Sequence, residues 1–324
     1  MVFIGYHASH EQLPPSALLD AVVNAERVGF DGAFSADHLE PWTRRQGHSG
    51  NTIAWLGAAL ARTSFPIEAV LTPGYRYHPV IAAHAVATLA EMFPGRYAPA
   101  LGSGELLNEH VIGGDWPEKD ERTARLGECV DVMSRLLRGE EVTQEGRIVV
   151  DRARLWSLPP AVPALRATAT STATATWAAA WADGIVTVGT ESEEVAAVLD
   201  AYRAAGGVGD SAVQVHFALE PDLPAAVALV REQWLHGVVT PPEAWDIAKP
   251  EEFERLAGAP SDDELQQHVL VASDIDVLAD RIADIAGGFD RVYLHEISQD
   301  QDSFLEERAG PLLAALRLRF GGAA

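Results

Sequence analysis

Short apolar runs and amphipathic stretches alternate along most of the chain. Residues 2–8 (VFIGYHA) are rich in β-formers and predict a strand. PPSALLDAVVNAERVGF follows, with apolar residues at helical spacing and a stop at Gly29. The same alternation predicts strands over 32–36, 67–71 and 97–101, and helices over 51–63, 80–92 and 122–137. Further on it predicts strands over 163–167, 184–188, 212–219 and 291–297. Helices are expected over 172–182, 192–205, 275–286 and 302–318. The Ala/Thr-rich run ATATSTATATWAAAWADG carries Trp177 and Trp181 four apart, which favours an Ala-rich helix with an aromatic inner face over disorder.

Strand and helix thus alternate about eight times, which calls for parallel strands joined by helical crossovers. Eight such units suit a single α/β domain over 1–324, a closed (β/α)8 TIM barrel. An open doubly wound sheet is the alternative, but the first strand-to-helix turn, HASHEQLPP, has no GxGxxG fingerprint. Two segments break the rhythm. Residues 139–160 read as a small hairpin insertion around Glu145-Gly146. Residues 235–265 carry Pro241, Pro242, Pro250 and Pro260 and read as a partly helical insertion covering one end of the barrel.

Charge narrows the choice of partners. The chain has 324 residues, 47 acids against 24 bases, and a net charge of -23. An acidic surface argues against nucleic acid and against anionic membranes. Lys119 and Lys249 are the only lysines, a bias that fits a GC-rich genome or a salty cytoplasm. No apolar run approaches the ~20 residues needed to span a bilayer, and MVFIGYHASHEQ lacks a basic region followed by an apolar one, so a cytoplasmic location is expected. The single cysteine, Cys129, lies in a helical pattern and reads as a small core residue.

In a barrel of this kind, chemistry sits at the C-terminal ends of the strands. Polar and ionisable residues recur there in the first four units: His7, Ser9, His10 and Glu11; Asp37, His38, Glu40 and Trp42; Thr72, Tyr75 and Arg76; Ser103, Gly104, Glu105 and Asn108. Singly, each has a plain structural reading: Asp37 as a turn residue, Glu105 near a helix start, Trp42 as core. Together, a histidine and a glutamate facing each other across a barrel mouth suit proton transfer. The histidines lack metal-ligand spacing, so no metal is expected, and no GxSxG elbow is present.

The phrases GYHASHEQ, SADHLEPW, VLTPGYRYHP, LAEMFPGRYAPALGSGELLNEH and WPEKDERTARLGECVDVMSRLL resemble the luciferase-like monooxygenase superfamily. Within it they are most similar to the branch of deazaflavin-dependent glucose-6-phosphate dehydrogenase. GYHASHEQ looks more like a sister branch that uses FMN. The resemblance is dense over residues 1–140 and weak again at WADGIVTV, HVLVASD and the last helix. It implies a flavin-dependent oxidoreductase acting on a small organic substrate by hydride and proton transfer or by oxygen insertion. FMN is the cofactor implied, with the deazaflavin coenzyme F420 as the alternative. It also implies a homodimer and, for a monooxygenase, a flavin reductase as partner.

Carried over by position, the resemblance makes His38, Glu105 and Trp42 catalytic, with His38 and Glu105 as a proton-transfer pair. It places Asp37, Ala69, Val70, Thr72, Ser103, Gly104, Asn108, Thr168, Ala169, Thr170 and Ser171 against the cofactor, and Glu11, Trp42 and Tyr75 against the substrate. Ala69-Val70 matches a position where relatives carry a strained cis bond. Two features depart from the sugar-phosphate branch. Its phosphate-binding positions correspond here to Val188, Glu191 and His268, none a fixed cation. The loop after strand five is Thr168-Ala169-Thr170-Ser171-Thr172, with hydroxyls in place of bare glycines, which can hold a phosphate or merely cap a helix. A non-catalytic flavin-binding barrel and a deazaflavin-dependent alcohol or sugar dehydrogenase are the competing readings.

Overall fold

The computed structural model describes residues 2–321. Its strands, in chain order, are β1 (Phe3–Ala8), β2 (Gly32–Ala36), β3 (Ile67–Leu71), β4 (Tyr97–Leu101), β5 (Val142–Gln144), β6 (Val150–Ala153), β7 (Arg166–Thr168), β8 (Gly184–Val188), β9 (Asp210–Leu219), β10 (Leu270–Ala272) and β11 (Arg291–Glu296). Eight of them close a parallel barrel in the order β1-β2-β3-β4-β7-β8-β9-β11, with β11 pairing back onto β1. Helices fill the crossovers, as the alternation predicts.

Period-two alternation sorts the strand residues into two sets. Ile4, Tyr6, Ala8, Ile67, Ala69 and Leu71 face outward and pack under the helices in the main core. Phe34, Val70, Ala100, Val186, Ala212 and Tyr293 face inward and fill the barrel's middle layer. Below that layer, at the N-terminal ends, the inward positions are charged. Arg166 Nη2 lies 3.2 Å from Glu68 Oε1 and 3.2 Å from Asp210 Oδ2. Arg291 bridges the same two acids at 3.5 and 2.6 Å, and Tyr293 Oη donates to Glu68 at 3.0 Å.

Four elements differ from the sequence-based expectation. The fifth barrel strand starts at Arg166 rather than 163, beyond Pro163, which has no N–H for the ladder. β10 and the helix Leu223–Gln233 are not foreshadowed by the pattern. β10 has a clear structural reason: β8 pairs with β9 only as far as Gln214, and β10 takes over the same edge from Phe217 to Leu219. The last helix is broken by a π-turn over Phe304–Arg308, just before Pro311, which cannot donate to the Glu307 carbonyl.

Both insertions are present. β5 and β6 form the antiparallel hairpin. The second insertion is short helical turns, Leu235–Val238, Glu243–Asp246, Pro250–Ala257 and Asp262–Leu265. Its Ala244, Ile247 and Phe253 pack with Leu107 and Trp42 from the β4 and β2 loops, so it roofs the C-terminal mouth. The one cis peptide bond among the described residues is Pro241–Pro242.

Candidate active site

Beneath this roof lies a cavity of about 1140 Å³ at the C-terminal ends of the strands. Its wall is built loop by loop. After β2, Asp37 is buried and its Oδ1 accepts from Thr52 N at 3.2 Å, which ties the loop to the helix Thr52–Arg62. Arg76, from the β3 loop, closes this corner. Its Nη2 lies 3.2 Å from Asp37 Oδ2 and donates to the Asp37 carbonyl at 2.9 Å, while its Nε meets Glu109 Oε1 at 3.1 Å. Burial works against the Arg76 charge, but Glu109 and Asp37 more than restore it and raise its pKa. One guanidinium therefore clamps the β2 loop to the β4 loop.

That clamp sets the ionisable group at the centre. His38 Nδ1 stands 3.3 Å from Glu11 Oε1, and Ser9 Oγ donates to the other Glu11 oxygen at 2.7 Å. Asn108 Oδ1 accepts from Leu39 N at 2.8 Å, and its Nδ2 lies 3.5 Å from both His38 Nδ1 and Glu105 Oε2. The immediate carboxylate partner of His38 is thus Glu11, with Glu105 one amide away. Burial raises the Glu105 pKa above the ordinary carboxylate range. His38 and Lys119 pull it down, and Glu11 and Glu109 push it up.

The floor is made of imidazoles. His7 stacks on His295 at 4.2 Å between centroids, and His216 stands edge-on to His295 at 4.9 Å. His295 Nε2 pairs with Gln12 Oε1 at 2.7 Å, and His216 Nε2 with Gln214 Nε2 at 2.8 Å. Trp42 lies parallel to His236 at 5.1 Å, with Trp234 and Phe253 close by. Burial drives the His7, His236 and His295 pKa values well below 6.5 and that of His216 to about 3, so this floor is neutral at pH 7. Among the described residues, no three His, Cys, Asp or Glu side chains are placed to share a metal ion.

Of the cofactor, substrate and catalytic residues that the resemblance implies, Glu11, Asp37, His38, Trp42, Val70, Thr72, Ser103, Gly104, Glu105, Asn108, Thr168, Ala169, Thr170 and Ser171 all line this one cavity. Two do not. Ala69 points outward into the helix layer, because its neighbour Val70 takes the inward position, and the Ala69–Val70 bond is trans. Tyr75 turns away to pack on Trp116 at 5.1 Å, with the Arg125 guanidinium over its ring.

The comparisons with known proteins agree with this arrangement. The profile of the luciferase-like monooxygenase family matches residues 1–290. The chain belongs to the luciferase-like monooxygenase family. It is 36% identical to an F420-dependent glucose-6-phosphate dehydrogenase of Microbacterium testaceum (strain StLB037), covering 98% of both chains. It is 33% identical to a protein of the same name from Beutenbergia cavernae, again over 98% of each. Among solved structures it is similar to an F420-dependent secondary alcohol dehydrogenase in complex with an F420-acetone adduct, at a TM-score of 0.89 and 28% identity, over 98% of this chain and 99% of that one. This luciferase-like protein is accordingly an oxidoreductase.

The site of this family member fits a tricyclic ring with a polar tail. Its volume exceeds the few hundred to ~1,000 Å³ common for ligand pockets. Gly102 and Gly104 leave the β4 loop bare: a Cβ on Gly104, at φ +86, would meet Thr72 Cγ2 at 2.9 Å, and one on Gly102 would meet Thr168 Oγ1 at 2.9 Å. Thr187 Oγ1, His7 Nδ1 and His236 Nδ1 are buried in this wall without a protein partner. Sequence reasoning passed over Lys119, Thr187, Gln214, His216, His236 and His295. The signal for three of them was present: Gln214, His216 and His295 occupy inward positions of β9 and β11, above the apolar layer of Ala212 and Tyr293.

Proposed function

We propose that this protein is a deazaflavin-dependent dehydrogenase that interconverts an uncharged secondary alcohol and its ketone. The deazaflavin takes precedence over the FMN that GYHASHEQ suggested, because the relatives matching over nearly the full chain are named as F420-dependent. The observation that carries the substrate class is the charge of the cavity wall. Among the described residues Lys119 is the only lysine or arginine lining it, and it sits beside Ser103 on the β4 side. The opposite wall offers Val188, Glu191 and His268, and the floor is neutral imidazole and indole. A substrate phosphate would find no counter-charge there and would face Glu191, whereas a small neutral alcohol would lose little on entering.

The chemistry that the deazaflavin supplies when bound is hydride acceptance and return. The protein's residues handle the proton. With Nδ1–H directed at the Glu11 carboxylate, His38 keeps a free lone pair on Nε2 to take the substrate hydroxyl proton. Glu11 orients the imidazole and stabilises the imidazolium that forms. Glu105, whose pKa burial raises, stores or returns a proton beside the Asn108 corner. Trp42, Phe253 and the roof exclude water from that exchange. A dehydrogenase of this kind draws its electrons from the alcohol and needs no separate flavin reductase. The reading extends to a single-domain homodimer in a reducing cytoplasm.

The test is reduction of F420 by the purified protein, followed by loss of its fluorescence. Secondary alcohols such as 2-propanol and cyclohexanol should support reduction, and glucose 6-phosphate should not. Comparable turnover with glucose 6-phosphate would refute the substrate class, and absence of turnover with every alcohol and sugar tried would refute the dehydrogenase reading.

A further inference from the structure

The geometry points to Lys119 as the receptor for the anionic tail of the bound flavin or deazaflavin, an inference that rests on the cofactor class proposed above. Lys119 is the first residue of the helix Lys119–Leu137. That is the wrong end for a cation: the helix dipole disfavours a positive charge there by about 0.3–1 kcal/mol. It is also half-buried, and burial with the nearby Arg122 lowers its pKa while Glu105 opposes. The helix end and the burial therefore both disfavour a lysine at this position in a chain that has two.

Its surroundings are those of an unfinished site. The ammonium donates to Ser103 Oγ at 3.0 Å and lies 5.0 Å from the centroid of the Trp245 ring. It forms no ion pair among the described residues, and with one N–H given to Ser103 two of its three donors are left without a protein partner. Lys119, Thr123 and Leu126 lie on one face of their helix, at spacings of four and three, and line the cavity. Facing into the same cavity are Ser171, Thr174 and Trp177, spaced by three. These two faces make a groove with apolar sides and four hydroxyl or ammonium groups at its edge.

Charge balance makes the lysine decisive. The carboxylates lining the cavity are Glu11, Asp37, Glu105, Glu191 and Glu194, against Lys119 alone. A phosphate or carboxylate entering this space finds its one cationic partner among the described residues at Lys119, near the hydroxyls of Thr123, Ser171 and Thr174. The flavin monophosphate ends in a phosphate monoester, and F420 carries a phosphate diester followed by carboxylates. Both present the same anionic group to this groove.

Fluorescence titration separates the sources and tests the site without turnover. The four probes are F420, its chromophore lacking phosphate and carboxylates, FMN and riboflavin. The Lys119→Met protein should bind the tailed form of whichever chromophore the wild type accepts about tenfold or more weakly. Its affinity for the tail-less form should be unchanged, Lys119→Arg should restore most of the loss, and affinity for the tailed form should fall with added salt more steeply in the wild type and Lys119→Arg than in Lys119→Met. An equal loss for tailed and tail-less forms would mean that Lys119 acts on the ring pocket, and unaltered affinity for both would remove it from binding; either overturns the proposal. Failure of the wild type to bind any of the four would instead overturn the cofactor class itself.

Discussion

The two ends of the barrel are both charged, and they treat charge in opposite ways. At the N-terminal end, Glu68, Asp210, Arg166 and Arg291 pair with one another, and Tyr293 satisfies the remaining Glu68 oxygen. Acids and bases are balanced two against two, so the plug is closed and inert. At the C-terminal end, five carboxylates face one lysine, the histidine floor is held neutral, and several polar atoms have no protein partner. One strand set thus supports a charge-balanced cluster below an apolar layer and a charge-unbalanced one above it. A barrel becomes an enzyme where the polar groups are left for a ligand to complete.

The bottom end should respond in stability alone. Glu68→Gln leaves two guanidinium groups short of a buried partner and should lower the unfolding free energy by about 3 kcal/mol, measured by urea denaturation. Alcohol turnover per folded molecule should not change; a matching loss of turnover would mean the plug reaches the active site through the core. The top end should do the reverse. His38→Ala should reduce kcat by roughly 100-fold with F420 affinity preserved, because a positioned base is worth about that much. Normal turnover in that variant would remove His38 as the base, and lost F420 affinity would reassign it to binding.

The smallest effect is a slope. His216 is held to about 3 in the folded protein against 6.5 when unfolded. The unfolded chain then binds the extra proton between these values, so stability falls as pH drops below about 6.5. Each such imidazole contributes about 1.4 kcal/mol per pH unit. His216→Gln should flatten the fall between pH 6.5 and 5 by that amount, read from denaturation curves at each pH. An unaltered slope would mean that His216 is solvated enough to keep its ordinary pKa.

The rim residues were legible before the fold was seen because each follows a strand whose apolar pattern is strong. Gly32–Ala36, Ile67–Leu71, Tyr97–Leu101 and Gly184–Val188 begin and end where periodicity put them. Asp37, Thr72 and Ser103 follow from that placement. Tyr75 and Ala69 were misplaced for a local reason: one residue along a strand reverses the side a side chain faces, and a loop residue can turn either way. Lys119 was out of reach because its helix begins near the rim only in three dimensions.

The order of hydrophobic and polar residues by itself determined the repeating strand–helix units, the two insertions and the acidic charge, since each is set by neighbours a few positions away. Only the tertiary structure decided that Glu11 rather than Glu105 meets His38, that Arg76 joins two loops, and that imidazoles from β1, β9 and β11 form one floor. Those contacts join residues tens to hundreds of positions apart, or depend on which way a loop side chain turns. Closure of the barrel, which no local pattern encodes, brings them within bonding distance.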